Sequence, residues 1–297
     1  MEARFKSLSI FEFQELFPDQ KSCYAHLAKL KWAQGFNCVK CGHGNYCKAI
    51  KEFDRQCTSC RHTESPTAGT LFHRLKFPIL KAFWIIYFLS TNKKGMSSTE
   101  LSRKLELRQK TCWLFKQKVM KGMQSSGQHP LTGDVEVDEF LVGQQEAGKS
   151  GRAKGNKRLV VLAIERHGAK GASRMYAKKI EKASAAELVP FVKEKVDLKA
   201  NLKTDAWAGY GPLAKEYANF TQVLSGPKGN NFNTLHRVIM GFKAWLRATH
   251  SHVKHLQPYL DEYAYRYNRS FMKENIFDNL LNRMIQAPPH TYKMIIN

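Results

Sequence analysis

Residues 135–143 read VEVDEFLVG, a β-prone run with Asp138 at its centre. Its Val, Phe and Leu content fits a strand. A carboxylate buried there without a partner costs several kcal/mol, roughly the cost of any isolated charge removed from water. A divalent cation is one of the few partners that removes that cost. The plainer alternative is an Asp at a strand edge, facing solvent.

The segments that follow decide which sheet this strand enters. RLVVLAIERHG (158–168) and SRMYAKKI (173–180) read as two more strands, and SAAELVPFVKEKV (184–196) as a helix. NLKTD (201–205) is a short strand ending in Asp205, and FTQVL (220–224) is another. Long helices follow from about Asn233 to Thr249 and from about Val253 to Arg269. Three strands, a helix, a strand, a helix, a strand and a helix is the order of a ribonuclease H-like α/β domain. In such a sheet the strands carrying Asp138 and Asp205 are neighbours, so the two carboxylates can converge on the same metal ions.

The N-terminal part has a different texture. Residues 1–34 read as short helices, with FEFQELFPDQ breaking at Pro18 and KSCYAHLAKLKW carrying apolar residues at helical spacing. Two CxxC pairs follow, Cys38–Cys41 and Cys57–Cys60, separated by 15 residues. Two such knuckles can supply four thiolates to one tetrahedral Zn²⁺, which then holds structure because no coordination position is left open. His43, Cys47 and His62 lie nearby as bystanders, and Cys23 and Cys112 sit in helical patterns as small buried hydrophobes. FPILKAFWIIYFLSTNKKG (77–95) is a strongly apolar helix expected to start at Pro78 and to end at Gly95. In the segment 96–123 a helix capped by Ser97 or Ser98 meets a turn over 107–110 and then a basic helix, which makes either a helix-turn-helix or a plain helical hairpin. The expected divisions are 1–35 (helical), 36–65 (zinc ribbon), 66–127 (helix-turn-helix-like), 133–270 (α/β) and 271–297 (tail).

The totals agree with this division. A chain of 297 residues suits about two domains. Its 48 Lys and Arg against 25 Asp and Glu give +23, a surplus spread along the whole chain. That balance points to a polyanionic partner, nucleic acid before a membrane surface. No run approaches the roughly 18 apolar residues of a membrane span, and the first residues lack a signal-peptide pattern. The expected location is the cytoplasm, in association with the nucleoid.

Taken together, FPDQKSCYAHLAKLKWAQGFNCVKCGH (17–43), CTSC (57–60), AGTLFH (68–73), KGMSSTELSRKLELRQKTCW (94–113), VEVDEFLVG, KTDAWAGY (203–210) and HLQPYLDEYAYRYNR (255–269) carry a resemblance. In order and spacing they resemble bacterial insertion-sequence transposases of the DDE superfamily, from the group that joins a zinc ribbon to an ISXO-like catalytic domain. The resemblance implies cleavage at element ends and strand transfer into target DNA, catalysed by Mg²⁺ or Mn²⁺. Its implied partners are double-stranded DNA, both terminal inverted repeats and target, and a second copy of the chain at least.

The same resemblance implies Asp138 and Asp205 as the first two metal ligands. A third, usually Glu or Asn, belongs on the helix NTLHRVIMGFKAWLRATH (233–250), with a Lys two turns later. Lys243 stands two turns after His236, so His236 occupies the place of the acid. A neutral imidazole prefers softer metals than Mg²⁺. Asn233, one turn earlier, and Glu262, on the next helix, are the other candidates for the third ligand. A catalytically inactive DNA-binding protein derived from a transposase is the alternative function. Leu235, Val238, Ile239, Phe242 and Leu246 form the core stripe of this helix, and His236 and Lys243 fall off it. Lys243 and Arg247 are candidates for DNA phosphates, as are Lys149, Arg152, Lys154, Lys157 and Arg158 in the Gly-rich basic loop 148–158. Trp207 and Tyr210, beside Asp205, can stack on a base or pack against the sheet.

Overall fold

The computed structural model describes residues 7–143, 157–168, 171–250, 253 and 255–296. The chain forms two units, Met1–Met123 with Phe271–Asn297, and Gln124–Ser270.

The first unit begins with two capped helices. Helix α1 (Ile10–Leu16) starts at Ser9, whose hydroxyl accepts the Glu12 N–H while the Glu12 carboxylate accepts the Ser9 N–H at 2.8 Å. Asp19 caps α2 (Gln20–Lys31), accepting the Ser22 N–H at 2.7 Å. Each reciprocal pair satisfies two N–H groups that a helix start would otherwise leave unpaired. A three-stranded antiparallel sheet follows, β1 (Tyr46–Lys48), β2 (Arg55–Cys57) and β3 (Thr63–Glu64).

The two CxxC knuckles fold as copies of one turn. The Cys38 N–H donates to the His43 carbonyl and the Gly42 N–H to the Cys38 carbonyl, at 3.0 and 2.8 Å. The second knuckle repeats this with Cys57 to His62 and Arg61 to Cys57, at 2.9 and 3.1 Å. The residue after each second cysteine is left-handed, with φ of +74° at Gly42 and +58° at Arg61. Glycine takes that conformation freely, whereas Arg61 takes it at a cost of about 1–2 kcal/mol. Below the knuckles Trp32 and Phe36 pack on Cys38 and Cys57. The Arg55 guanidinium lies over both the Trp32 and Tyr46 rings, 4.3 and 3.9 Å from their centroids. Lys31 Nζ meets the buried Glu64 carboxylate at 2.5 Å, tying α2 to β3, and burial holds this lysine's pKa below its ordinary value.

Helix α3 (Ile79–Thr91) starts after Pro78 as expected but stops a turn before Gly95. Thr91 turns its hydroxyl back to the Tyr87 carbonyl, and the Asn92 side chain accepts the Lys94 N–H, so the chain leaves the helix early. Gly95, with φ +73°, serves the connection to α4 instead. Ser97 caps α4 (Ser98–Leu105), accepting the Glu100 N–H at 3.1 Å. After a turn with Glu106 left-handed, α5 (Gln109–Met123) packs against α4.

The second unit is α/β. Its elements are β4 (Asp134–Val142), β5 (Arg158–Arg166), β6 (Ala172–Ile180), α6 (Ala185–Lys195), β7 (Asn201–Thr204), β8 (Phe220–Gln222), α7 (Asn233–Thr249) and α8 (Gln257–Asn268), with a 3-10 helix over Ala208–Lys215. The sheet order is β6-β5-β4-β7-β8, with β4 antiparallel to β5 and parallel to β7. This mixed five-stranded sheet is the ribonuclease H-like arrangement expected from the order of elements. On one face Val135, Val137, Val161 and Ala163 meet Leu188, Phe191 and Val192 of α6 and Tyr210, Leu213 and Tyr217 beyond β7. On the other face α7 covers β4 and β5, with the Phe140 and Phe242 rings 6.2 Å apart, and α8 covers β6.

Residues 271–297, expected as a tail, return to the first unit. Helix α9 (Ile276–Gln286) buries Phe277, Leu280, Leu281, Met284 and Ile285, and α10 (Tyr292–Ile296) follows. The Phe277 ring sits 5.5 Å from Phe13 and 5.7 Å from Phe17. At Gly122 of α5 an added Cβ would lie 2.7 Å from Met284 Cγ, so this glycine permits the close approach of α9. Among the described residues no helix is long and apolar enough to cross a membrane.

Because Phe277 is buried within this aromatic group, Phe277→Ala is expected to destabilise the first unit by about 3–5 kcal/mol. Urea unfolding of the zinc-loaded protein measures this, and a change below about 1 kcal/mol would mean that α9 is not part of the core.

Candidate functional site

The β4–β7 ladder places the two aspartates. Its last pair is Val137 with Thr204, so Asp138 and Asp205 are the next residues on two parallel neighbours. Both are nearly buried, at 8% and 7% exposure. Asp138 Oδ1 accepts the Glu139 N–H at 2.8 Å, and Asp205 Oδ1 accepts the Trp207 N–H at 3.1 Å. A third acid joins them that the sequence reading did not single out. Glu139 receives a hydrogen bond from the Tyr210 hydroxyl at 2.9 Å. Ligand oxygens of Asp138, Glu139 and Asp205 all lie within 4.8 Å of one another. Burial, then the charges of Glu139 and Asp138, raise the Tyr210 pKa well above its ordinary value, so it remains a hydrogen-bond donor.

Helix α7 brings His236 to the same place, its Nε2 4.0 Å from Asp138 Oδ2. That nitrogen is buried and has no hydrogen-bond partner among the described residues. The imidazole lies against Gly229, whose φ is +72° and where any Cβ would collide with the ring. Two turns on, Lys243 lies over the Phe140 ring at 5.4 Å. Burial first, then Arg247 and Lys157, lower its pKa. Asp138, Glu139, Asp205, Lys157, Trp207 and Lys243 line one cleft of about 840 Å³. The Trp207 indole N–H donates to the Ala183 carbonyl at 2.6 Å, which fixes the ring at the wall of that cleft.

The other candidates are placed elsewhere. Asn233 is exposed at the start of α7. Glu262 is fully buried and bound by the Arg266 guanidinium at 2.7 Å, outside the three clustered carboxylates. Arg158 donates to the Val253 carbonyl, and Arg247 is exposed on α7. Lys149, Arg152 and Lys154 lie outside the described residues.

The donor chemistry fits divalent cations. Three carboxylates this close repel one another strongly unless a cation lies among them, and the orphaned imidazole nitrogen beside Asp138 lacks only an acceptor of its lone pair.

In the ribbon, the Cys38 and Cys60 sulfurs are 3.5 Å apart and those of Cys41 and Cys57 3.6 Å, with all four within 4.8 Å. A disulfide would need about 2.05 Å. Four thiolates about 2.3 Å from one ion sit near 3.8 Å from each other, which these spacings approach. The Cys60 N–H lowers the Cys57 thiol to about 7; burial opposes this and the Ser59 N–H adds to it. His43 bonds to Thr58 and Cys47 to the Gln56 carbonyl, so neither joins the four. The four cysteines and the three carboxylates are the two groups among the described residues placed to hold a metal.

Residues 130–268 match the ISXO2-like transposase domain, and residues 18–63 match the transposase zinc-ribbon domain. Among solved structures the chain is similar to the Mos1 strand transfer complex, at 10% identity over 70% of this chain and 78% of that one, with a TM-score of 0.29. A pre-cleavage Mos1 transpososome is similar at 11% identity over 70% and 79%, with a TM-score of 0.21. No curated protein matches the chain.

Two outcomes are expected from this geometry. Replacing Cys41 with Ser should release zinc from the ribbon and open it to proteolysis, read by a chromogenic zinc assay and limited digestion. Lys243 has a lowered pKa in the folded state, so it costs stability when charged, and that cost fades as pH rises through its folded pKa towards 10.5. Lys243→Met should therefore raise the thermal midpoint at pH 7 and give a shrinking gain at alkaline pH. An unchanged or lowered midpoint at pH 7 would contradict the burial argument.

Proposed function

Given a chain that pairs a transposase zinc ribbon with an ISXO2-like transposase domain, we propose that it cuts DNA at the ends of a mobile element and joins the freed 3′ ends to target DNA. The observation that carries this reading is the meeting of Asp138, in the middle of β4, with Asp205, just past the end of β7, with His236 Nε2 facing Asp138. Bound divalent cations, Mg²⁺ or Mn²⁺, would supply activation of the attacking oxygen and stabilisation of the leaving one.

The residues themselves divide the remaining work. Asp138 and Asp205 would hold the ions at the cleft they line. His236 would add a neutral nitrogen ligand, which favours Mn²⁺ over Mg²⁺ more than a carboxylate does. Lys243 and Lys157 meet the phosphates that flank the scissile bond, and Arg247 extends this basic track along α7. Trp207 lines the path of the strand. The same centre would serve cleavage and joining: water attacks the phosphate at the element end and displaces its 3′-oxygen, and the freed 3′-hydroxyl then attacks a target phosphate in line and displaces the target's 3′-oxygen, with no covalent protein–DNA intermediate. The ribbon and the α4–α5 pair recognise the terminal inverted repeats, supported by the +23 charge. Bringing two ends together requires a dimer or a larger assembly on DNA. A second reading, a binding protein that has lost catalysis, draws on one observation: an imidazole stands where the resemblance expects an acid.

The test is cleavage and joining of a labelled duplex that carries the inverted repeat flanking the gene. The wild type should yield joined products, more with Mn²⁺ than with Mg²⁺. Asp138→Asn and Asp205→Asn should lose about a thousandfold or more, equivalent to several kcal/mol of charge stabilisation. His236→Ala should lose the preference for Mn²⁺ along with most of the rate. A wild type that binds the repeat yet never cuts with either metal establishes the binding-protein reading instead.

A further inference from the structure

We infer that Glu139 is the third carboxylate of the metal centre, supplied by β4 where α7 presents His236; this rests on the transposase reading above. Side chains alternate along a strand, so Asp138 turns towards α7 and Glu139 towards the opposite face, where Tyr210 lies. A ligand pair from adjacent strand residues is therefore unexpected. What allows it is the length mismatch between neighbours. Strand β7 pairs with β4 only as far as Val137, while β4 runs on to Val142 beside β5. Past Val137 the β7 side of β4 is a gap, bordered by Asp205, and a carboxylate from either face can turn into it. The oxygens of all three acids do meet there, within 4.8 Å.

Charge gives the meeting a purpose. Asp138 and Asp205 bring two negative charges and His236 brings none, against four positive charges for two divalent ions. Glu139 restores the third negative charge that an acid on α7 would have given. Asp138 then stands between two lobes, one of three carboxylates and one shared with His236. Oxygen-only donors suit the harder ion, and the mixed lobe suits the softer one.

Tyr210 is the positioning residue for Glu139. It is fully buried, its hydroxyl donates to Glu139 Oε2, and its 3-10 helix begins three residues after Asp205. One short segment thus carries Asp205 and sets the orientation of Glu139.

The experiment uses the full, zinc-loaded chain freed of other divalent ions. Mn²⁺ binding is titrated by electron paramagnetic resonance of the free ion, and the thermal midpoint is read with and without Mn²⁺. In Glu139→Gln the midpoint without Mn²⁺ should rise, because a repelling charge is gone, and Mn²⁺ should bind at least about tenfold more weakly. Tyr210→Phe should lower the midpoint and weaken Mn²⁺ binding by a smaller factor. Should Glu139→Gln fail to fold, Glu139→Asp keeps the charge but withdraws the carboxylate, and it too should weaken binding. If Glu139→Gln binds Mn²⁺ as the wild type does and loses stability as Tyr210→Phe does, Glu139 is only the acceptor for Tyr210 and the inference falls. Asp205→Asn separates the two levels: a loss of Mn²⁺ binding there leaves the transposase centre standing without Glu139. A wild type with no Mn²⁺ binding that depends on Asp205 removes the centre and the inference together.

Discussion

Parallel pairing between β4 and β7 runs through Val137 and Thr204 and stops one residue short of two aspartates. The ladder is held by what lies beneath it. Val135, Val137 and Leu202 are buried with Phe191 and Val192 of α6 and with Tyr210 and Tyr217. Tyr217 in turn donates to the Val196 carbonyl at 3.0 Å, closing the end of α6 over the sheet. Each fully buried aliphatic side chain here contributes about 1.5–3 kcal/mol of transfer free energy. That apolar layer fixes the register, and a slip by one residue would exchange the faces of Asp138 and Val137. The carboxylates converge because the hydrophobic side of the sheet leaves them no other registration.

The elements that could be read in the sequence are those with a single dominant pattern. Helix α7 shows one apolar stripe, so its extent and the common side of His236 and Lys243 follow from 3.6-residue spacing. Strands β4 and β5 are long, rich in Val and flanked by glycines, and the paired CxxC motifs have little other use. The order of these elements was enough to place Asp138 and Asp205 on neighbouring strands. Glu139 was hidden because alternation assigns it to the far face, and no local signal says that β4 outruns β7. The helix α9 was passed over as a tail, although IFDNLLNRMI has helical apolar spacing, because its partners lie more than 150 positions away in α5 and earlier. The early end of α3 depended on two side-chain hydrogen bonds that compete with the helix, a choice composition does not reveal. Arg158, counted among the DNA-facing residues, is engaged by the Val253 carbonyl, a contact that only tertiary structure creates.

The cleft combines two kinds of electrostatic cost. Its carboxylates repel one another, and a few residues away Lys243 is held half-buried among Arg247 and Lys157. Each cluster lowers stability by itself and each is relieved by a ligand of the opposite sign, cations for the acids and phosphate for the bases. A nucleic acid with bound divalent ions carries both. The ribbon shows the same logic in miniature, where four clustered thiols are an unfavourable arrangement until a cation draws the proton from each. Arg61, held left-handed at a cost, marks how firmly the second knuckle is fixed to the geometry of the first.

The second unit is one continuous stretch of chain, whereas the first is assembled from two stretches that flank it. This imposes an order in time on synthesis. Residues 124–270 can fold as soon as they leave the ribosome, but Phe13 and Phe17 wait for Phe277, which is made after the whole α/β unit. A ribosome that stalls before α9 releases a nascent chain whose N-terminal helices lack part of their core. The core of the first unit is therefore completed only once α9 has been made.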